Sequence, residues 1–209
     1  MARVSQEHLE ARRRQILDGA AVCFARNGFH ATSMQDVLKE VDLSAGAVYR
    51  YFGGKEELIA AIASEVLETV RGTLEQAAQE SPPPTPDVMV PRALALMRQV
   101  RPATLETGEW LFPRLMIQVW TESTRTPSLT AVLTEGYAKI REAWGAMAKN
   151  YKDAGLLPED ADVDAMARAM IALVQGFAAQ MAIFGDIPPQ VLCEGTRALM
   201  ATGRTASPA

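Results

Sequence analysis

Apolar residues recur at three- and four-residue intervals almost throughout this chain, and no segment sustains the two-residue alternation of a half-buried strand. That periodicity confines the fold to the all-α class. The strongest break is Ser81-Pro82-Pro83-Pro84-Thr85-Pro86, where consecutive rings remove the amide donors a helix needs. It separates a front part of the chain from a rear part. About nine helices are predicted, and the first four can be placed from local chemistry.

The first, α1, is predicted over about Glu7–Arg26, with Ile16, Ala20, Cys23 and Phe24 on one stripe. Asn27-Gly28-Phe29 ends it, because glycine adopts the left-handed conformation at little cost and Phe29 then reaches back to Phe24. A two-turn helix, α2, starts from Ser33, whose hydroxyl can accept from the amide of Asp36, and buries Met34, Val37, Leu38 and Val41. Asp42-Leu43 forms the turn. Ser44 caps α3, with Leu43 and Val48 as a hydrophobic staple. The fourth helix, α4, starts near Gly54-Lys55, sets Glu56 and Glu57 at its positive end and continues to about Gln79. The predicted remainder is α5 near Val88–Val100, α6 near Leu105–Ser123, α7 near Pro127–Asp153, α8 near Val163–Phe184 and α9 near Pro189–Ala201.

Several classes of function lack material here. Hydrophobic residues make up 48 % of the chain, but charges interrupt them before any run reaches the roughly 18 consecutive residues of a membrane span. The N-terminus has arginines and no apolar stretch followed by a small-residue cleavage site, so a cytoplasmic protein without membrane contact is expected. His8 and His30 are the two histidines, and neither sits in a metal-binding spacing. Cys23 and Cys193 belong to no CxxC pair and read as buried small hydrophobes. Gly53-Gly54-Lys55 has Tyr49 and Glu56 where a phosphate-binding loop needs Gly and Ser or Thr. No enzyme, metal site or cofactor is expected. The net charge of −4 is unevenly spread: residues 1–55 carry eight Lys and Arg against six Asp and Glu. The basic end is local, as a weak phosphate-facing field requires.

Two short capped helices joined by a tight turn and backed by a longer one are the parts of a helix-turn-helix, whose second short helix enters the major groove. With Val48 and Phe52 inward, Gly46, Ala47, Tyr49 and Arg50 face out. The small residues Ala45, Gly46 and Ala47 permit close approach to thymine methyl groups, Arg50 has the fork that grips guanine, and Tyr49 and Tyr51 offer hydroxyls to phosphates. A capped helix with an ordinary solvent face has the same local pattern.

The stretch from Gly28-Phe29-His30-Ala31-Thr32-Ser33-Met34-Gln35-Asp36-Val37 through Leu43-Ser44-Ala45-Gly46-Ala47-Val48-Tyr49-Arg50-Tyr51-Phe52 to Lys55-Glu56-Glu57-Leu58 resembles the tetracycline-repressor (TetR) family. The composite covers about fifty residues; the rest agrees in length and helical character. The resemblance implies an N-terminal three-helix DNA-binding domain over 1–54, a connecting helix over 55–80, a helical ligand-binding and dimerisation domain over 87–203, and a frayed tail over 204–209. It implies DNA contacts from Ser33, Gln35, Ala45, Gly46, Ala47, Tyr49, Arg50, Tyr51 and Lys55. Of these, Tyr49, Tyr51, Ser33 and Lys55 would meet phosphates, and Arg50 with Gln35 would meet bases. Ala45 stands where many members carry Lys or a polar residue, which places more of the discrimination on Arg50 and on DNA shape.

The expected partners are a palindromic double-stranded operator, a second copy of the chain and a small, largely apolar effector of unknown identity. On α8, Ala165, Ala169, Ala172, Gly176 and Ala179 form a small stripe opposite Val163, Ala167, Met170, Val174, Phe177, Met181 and Phe184. A helix apolar on both sides must be covered on both sides, and the small stripe suits close approach of another helix, so α8 and α9 are expected to form the dimer contact, an ordinary buried helix inside one chain being the other reading. Met97, Trp110, Phe112, Met116, Trp120, Tyr137 and Trp144, with Met170, Val174 and Phe177, are candidates for lining the effector pocket; a packed core is the other reading of the same residues. Pro113 is expected to kink or split α6. DNA would favour one spacing of two reading heads and the effector another, with α4 carrying the difference. An effector-independent regulator, an activator and a helical protein-interaction module also fit.

Overall fold

The structure, a computed structural model, describes residues 6–100, 111–185 and 187–202. Within them the chain forms nine helices and no strand: α1 Gln6–Asn27, α2 Met34–Val41, α3 Ala45–Tyr49, α4 Lys55–Ala77, α5 Pro86–Val100, α6 Phe112–Ser123, α7 Pro127–Asp153, α8 Val163–Phe184 and α9 Pro189–Thr202. The all-α expectation holds. The side chain of Met97, residue Trp110 and the tail 204–209 lie outside the described residues.

Two helices begin differently from the prediction, and both differences involve proline. Helix α5 starts at Pro86, two residues before the expected start, because proline's fixed φ suits a first helical position, where its missing amide costs nothing. Pro113 occupies the first turn of α6 and so removes no hydrogen bond there. Of the expected kink or split, no kink stands at Pro113, and the helix begins at Phe112 beside it. The expected start at Leu105 lies outside the described residues.

The chain divides into two compact units. The first joins residues up to Glu65 with those of α6 and the start of α7, to Thr134. Its core is Ile16, Leu17, Ala20 and Phe24 of α1, Val37 and Val41 of α2, Val48 and Phe52, and Leu58, Ile59 and Ile62 of α4. Burying each large side chain contributes about 1.5–3 kcal/mol. Helix α1 packs on α2 and on α6. The α1–α2 crossing is close at Gly19, where a Cβ would fall 2.3 Å from Val41 Cγ1. These compact units cut the chain otherwise than the expected division at residues 54 and 80, since α6 packs with α1.

The second unit comprises Val66–Val100 and the residues from Glu135 onward. Leu74, Met89, Leu94, Trp144, Met147, Tyr151, Phe177 and Met181 are buried in it. Asn150 Nδ2 donates to the carbonyl of Ala78 at 2.6 Å, satisfying an acceptor just past the end of α4. Helix α5 packs against α8 and α9, and Arg197 of α9 pairs with Asp87 of α5 at 2.9 Å.

Both cysteines are free. Cys23 is buried as expected, whereas Cys193 is half-buried, because its turn of α9 is partly exposed. Burial first, then the nearby Glu40 carboxylate, pushes the Cys23 thiol up to about 11. At pH 8 it is almost wholly protonated, and only the thiolate is nucleophilic. Titration with a thiol-reactive disulfide at pH 8 is expected to leave Cys23 unmodified in the native protein and to modify it rapidly once the chain is unfolded in urea. Rapid native modification at Cys23 would contradict this packing.

Candidate nucleic-acid interface

Local hydrogen bonds shape the reading head. Gly28 takes φ +84°, its amide donates to Phe24 O at 2.9 Å, and the Phe24 and Phe29 rings meet with centroids 5.4 Å apart. The Thr32 hydroxyl is buried and donates to Gly28 O at 2.8 Å and lies 3.1 Å from Cys23 O, so the turn after α1 is pinned to the helix it leaves. Ser33 and Asp36 form a full capping box: Asp36 N donates to Ser33 Oγ at 3.2 Å, and Ser33 N donates to Asp36 Oδ2 at 2.8 Å. The Ser33 hydroxyl also donates to Asp36 at 2.6 Å, which holds the Asp36 carboxyl below its usual range.

Asp42 closes α2 in the left-handed region at φ 51°, a conformation Asp tolerates because its short polar side chain bonds locally. Gln15 Nε2 donates to Val41 O at 2.8 Å and so ties this end of α2 to α1. Ser44 Oγ accepts from Ala47 N at 3.4 Å and starts α3. Val48 and Phe52 are buried, the inward positions expected of them.

On the outward side, Ser33, Gln35, Ala45, Gly46, Tyr49 and Arg50 are exposed, and Ala47, Tyr51 and Lys55 are half-buried. A Cβ on Gly46 would meet nothing within 4 Å, so the start of α3 presents an open, shallow surface. Tyr49 is 49 % exposed despite its size, a ring that the chain itself leaves in water. The helix proper ends at Tyr49, which places Arg50 and Tyr51 just beyond it. Arg50 nevertheless keeps helical angles of −68° and −25°, so its direction continues the last turn of α3.

Lys55, the expected phosphate ligand at the start of α4, is also bonded within the chain. Its ammonium donates to Phe29 O at 3.0 Å and sits 4.8 Å from the centre of the Phe29 ring. The positive end of α4 is thereby fastened to the α1–α2 turn. Glu57 accepts from Gly53 N at 2.6 Å and closes the other side of that start. Arg13 of α1 pairs with Glu65 and lies 5.5 Å from the Phe52 ring.

Sequence reasoning missed the contacts between this head and α6. Phe29 N donates to Gln118 Oε1 at 3.3 Å, and His30 Nε2 lies 3.1 Å from Glu122 Oε2. Glu122 is buried, and its other oxygen accepts from Thr126 at 2.6 Å. A His and a Gln near a predicted turn carry no signal of a partner about ninety residues away.

The expected effector residues fall in different places. Phe112, Met116 and Trp120 belong to the first unit; Tyr137, Trp144, Met170, Val174 and Phe177 belong to the second. Phe112, Trp144 and Phe177 are buried, and the others are half-buried. A cavity within the second unit includes Met170 and no other described member of that set.

Of the small stripe on α8, Ala165, Ala169, Ala172 and Gly176 are exposed and Ala179 is half-buried. The opposite side is covered at Ala167, Phe177 and Met181, but Phe184, expected there, is 74 % exposed at the helix end. Helix α8 is long and apolar enough to cross a membrane by length and composition, yet only 28 % of its most apolar stretch is buried. Ile183, Val191 and Leu199 extend the uncovered apolar surface onto α9.

Two capped short helices at a tight turn, braced by α1 and exposing the start of the second, define a helix-turn-helix DNA-binding protein. The family model described as "Bacterial regulatory proteins, tetR family" matches residues 16–62, and "BetI-type transcriptional repressor, C-terminal" matches residues 90–201. The chain belongs to the TetR family of transcriptional regulators. It is similar to the HTH-type transcriptional repressor Rv1474c of Mycobacterium tuberculosis, with 27 % identity over 87 % of this chain and 88 % of that one. The HTH-type transcriptional repressor AcnR of Corynebacterium diphtheriae is also 27 % identical, over 88 % of this chain and 87 % of its own length. Among solved structures, the transcriptional regulator FadR from Bacillus subtilis in complex with stearoyl-CoA superposes with a TM-score of 0.71 at 16 % identity, covering 90 % of this chain and 97 % of that one. These relatives are named as regulators, not enzymes.

Proposed function

We propose that this chain is a cytoplasmic repressor that reads a two-fold symmetric operator as a homodimer and releases it when a small, largely apolar effector binds. The observation that carries the reading is the exposed face at Ala45, Gly46, Tyr49 and Arg50 on a buried, doubly capped support. Arg50 supplies the base-reading fork, with Gln35 in the first turn of α2; Tyr49, Tyr51 and Ser33 meet phosphates. Lys55 contributes charge to the backbone contact while bracing the turn at Phe29. The bare stripe of α8 and the apolar surface of α9 supply the face for a second copy. The repressor names of the relatives support the sign of regulation, and the stearoyl-CoA bound by the Bacillus subtilis FadR, a chain of similar fold, supports an effector with an apolar part. The bonds from Gln118 and Glu122 give α6 a direct hold on the reading head, so a shift in α6 would alter the head's position.

Gel-shift titrations against operator variants test the assignments. Arg50→Ala is expected to relax preference at one base position by about 1–3 kcal/mol. Lys55→Ala is expected to weaken binding to every variant alike, and to lower the salt slope by about one. Equal losses on all variants for Arg50→Ala would remove it as a base reader. Binding insensitive to salt would contradict the reading as a whole.

A further inference from the structure

The second unit holds a cavity of about 660 Å³, within the size range of small-molecule sites. It lies among the start of α5, the end of α7, the segment joining α7 to α8, the start of α8 and the end of α9. Leu157, Met166, Met170 and the Tyr151 ring give it apolar, adaptable walls. One end is polar, and its hydrogen-bond inventory is asymmetric. Asp87 is buried, with Oδ1 accepting from the Thr85 hydroxyl at 2.5 Å and Oδ2 from Arg197 Nε at 3.0 Å. The Tyr151 hydroxyl donates to Pro84 O at 2.5 Å and is also committed.

What remains is donor capacity. Arg197 holds Asp87 through Nε and Nη2, its side chain is 65 % exposed, and its Nη1 has no hydrogen bond among the described residues. The Asp87 charge is shared with the Thr85 hydroxyl and with the positive end of α5, so the outer edge of Arg197 keeps an attraction for anions. Glu194, one turn earlier on α9, is exposed and screened by water. A cationic head would have to take Asp87 away from Arg197 in a buried setting, which costs the existing pair.

We propose that this cavity binds an apolar carboxylic acid, with its carboxylate on the open edge of Arg197 and its hydrocarbon part along Met166 and Met170. The proposal deepens the effector reading above, on which only its consequence for DNA rests. It also moves the ligand site away from the aromatic residues that the sequence singled out.

Calorimetric titration of the full-length protein with dodecanoate, below its micellar concentration, tests the site without DNA. Saturable binding of one dodecanoate per chain is expected, weakened at least tenfold by Arg197→Gln and largely kept by Arg197→Lys. Dodecylammonium and dodecanol are expected to bind at least tenfold more weakly than dodecanoate. Met170→Trp, which fills the apolar wall and leaves Arg197 in place, is expected to abolish binding while circular dichroism shows an unchanged helical fold. Absence of dodecanoate binding, equal binding by Arg197→Gln, or equal binding of the amine would overturn the proposal. Dodecanoate that binds through Arg197 without releasing operator DNA would support the site and refute the effector reading, so the two failures are distinct.

Discussion

Ala172→Glu is expected to yield a folded monomer that binds operator DNA about a thousandfold more weakly than the parent chain, approaching nonspecific affinity. Ala172 is exposed in the single chain, in the middle of the stripe from Ala165 to Ala179. A Glu there costs an isolated helix little, because both residues are good helix formers. At a close helix-helix contact it is costly, since a second copy would bury its charge without a partner. One reading head makes too few contacts to select a site, and pairing two heads across half-sites restores selectivity. Sedimentation at micromolar concentration, circular dichroism and operator titration together read the three parts of this result. A dimer with unchanged DNA affinity would exclude the α8 stripe as the contact.

Phe24→Ala is expected to lower the unfolding free energy by about 3–5 kcal/mol, against a typical total of about 5–15 kcal/mol. Phe24 has no exposed surface and packs its ring against Phe29. Phe29 in turn carries the Lys55 ammonium on its ring and its carbonyl, and donates its amide to Gln118. The truncation therefore opens a cavity and loosens the point where α1, α4 and α6 are joined. Urea denaturation followed by circular dichroism gives the free-energy change. A loss below about 1 kcal/mol would mean that the site refills and that Phe29 is held independently.

The features that sequence made legible are those decided by neighbours a few residues away. Ser33 and Ser44 each bond an amide three residues on, and Gly28 needs only its own φ, so both short helices and the turn before them could be placed from local chemistry. The starts of α7 and α8 fall at Pro127 and Val163 as expected, and Asp162 caps the second of them. What stayed hidden depends on partners distant in sequence. Lys55 has the charge of a phosphate ligand, and nothing near it announces the Phe29 carbonyl 26 residues earlier. Gly19 reads as an ordinary helical residue until Val41 is brought against it. Aromatic side chains at helical spacing fill a core or line a pocket with the same pattern, which is why buried Trp144 and Phe177 could not be sorted from sequence. The cavity draws instead on Leu156, Leu157 and Pro158, a stretch whose composition reads only as a connection.

Selection of duplexes from a randomised DNA pool by the purified protein, followed by titration of the enriched sequence over a range of salt concentrations, addresses the central claim most directly. The expected result is a two-fold symmetric sequence with half-sites about one DNA turn apart or in overlapping register, bound by two or more chains, with affinity falling steeply as salt rises. No enriched sequence, or an enriched sequence bound by one chain with no salt dependence, would contradict it.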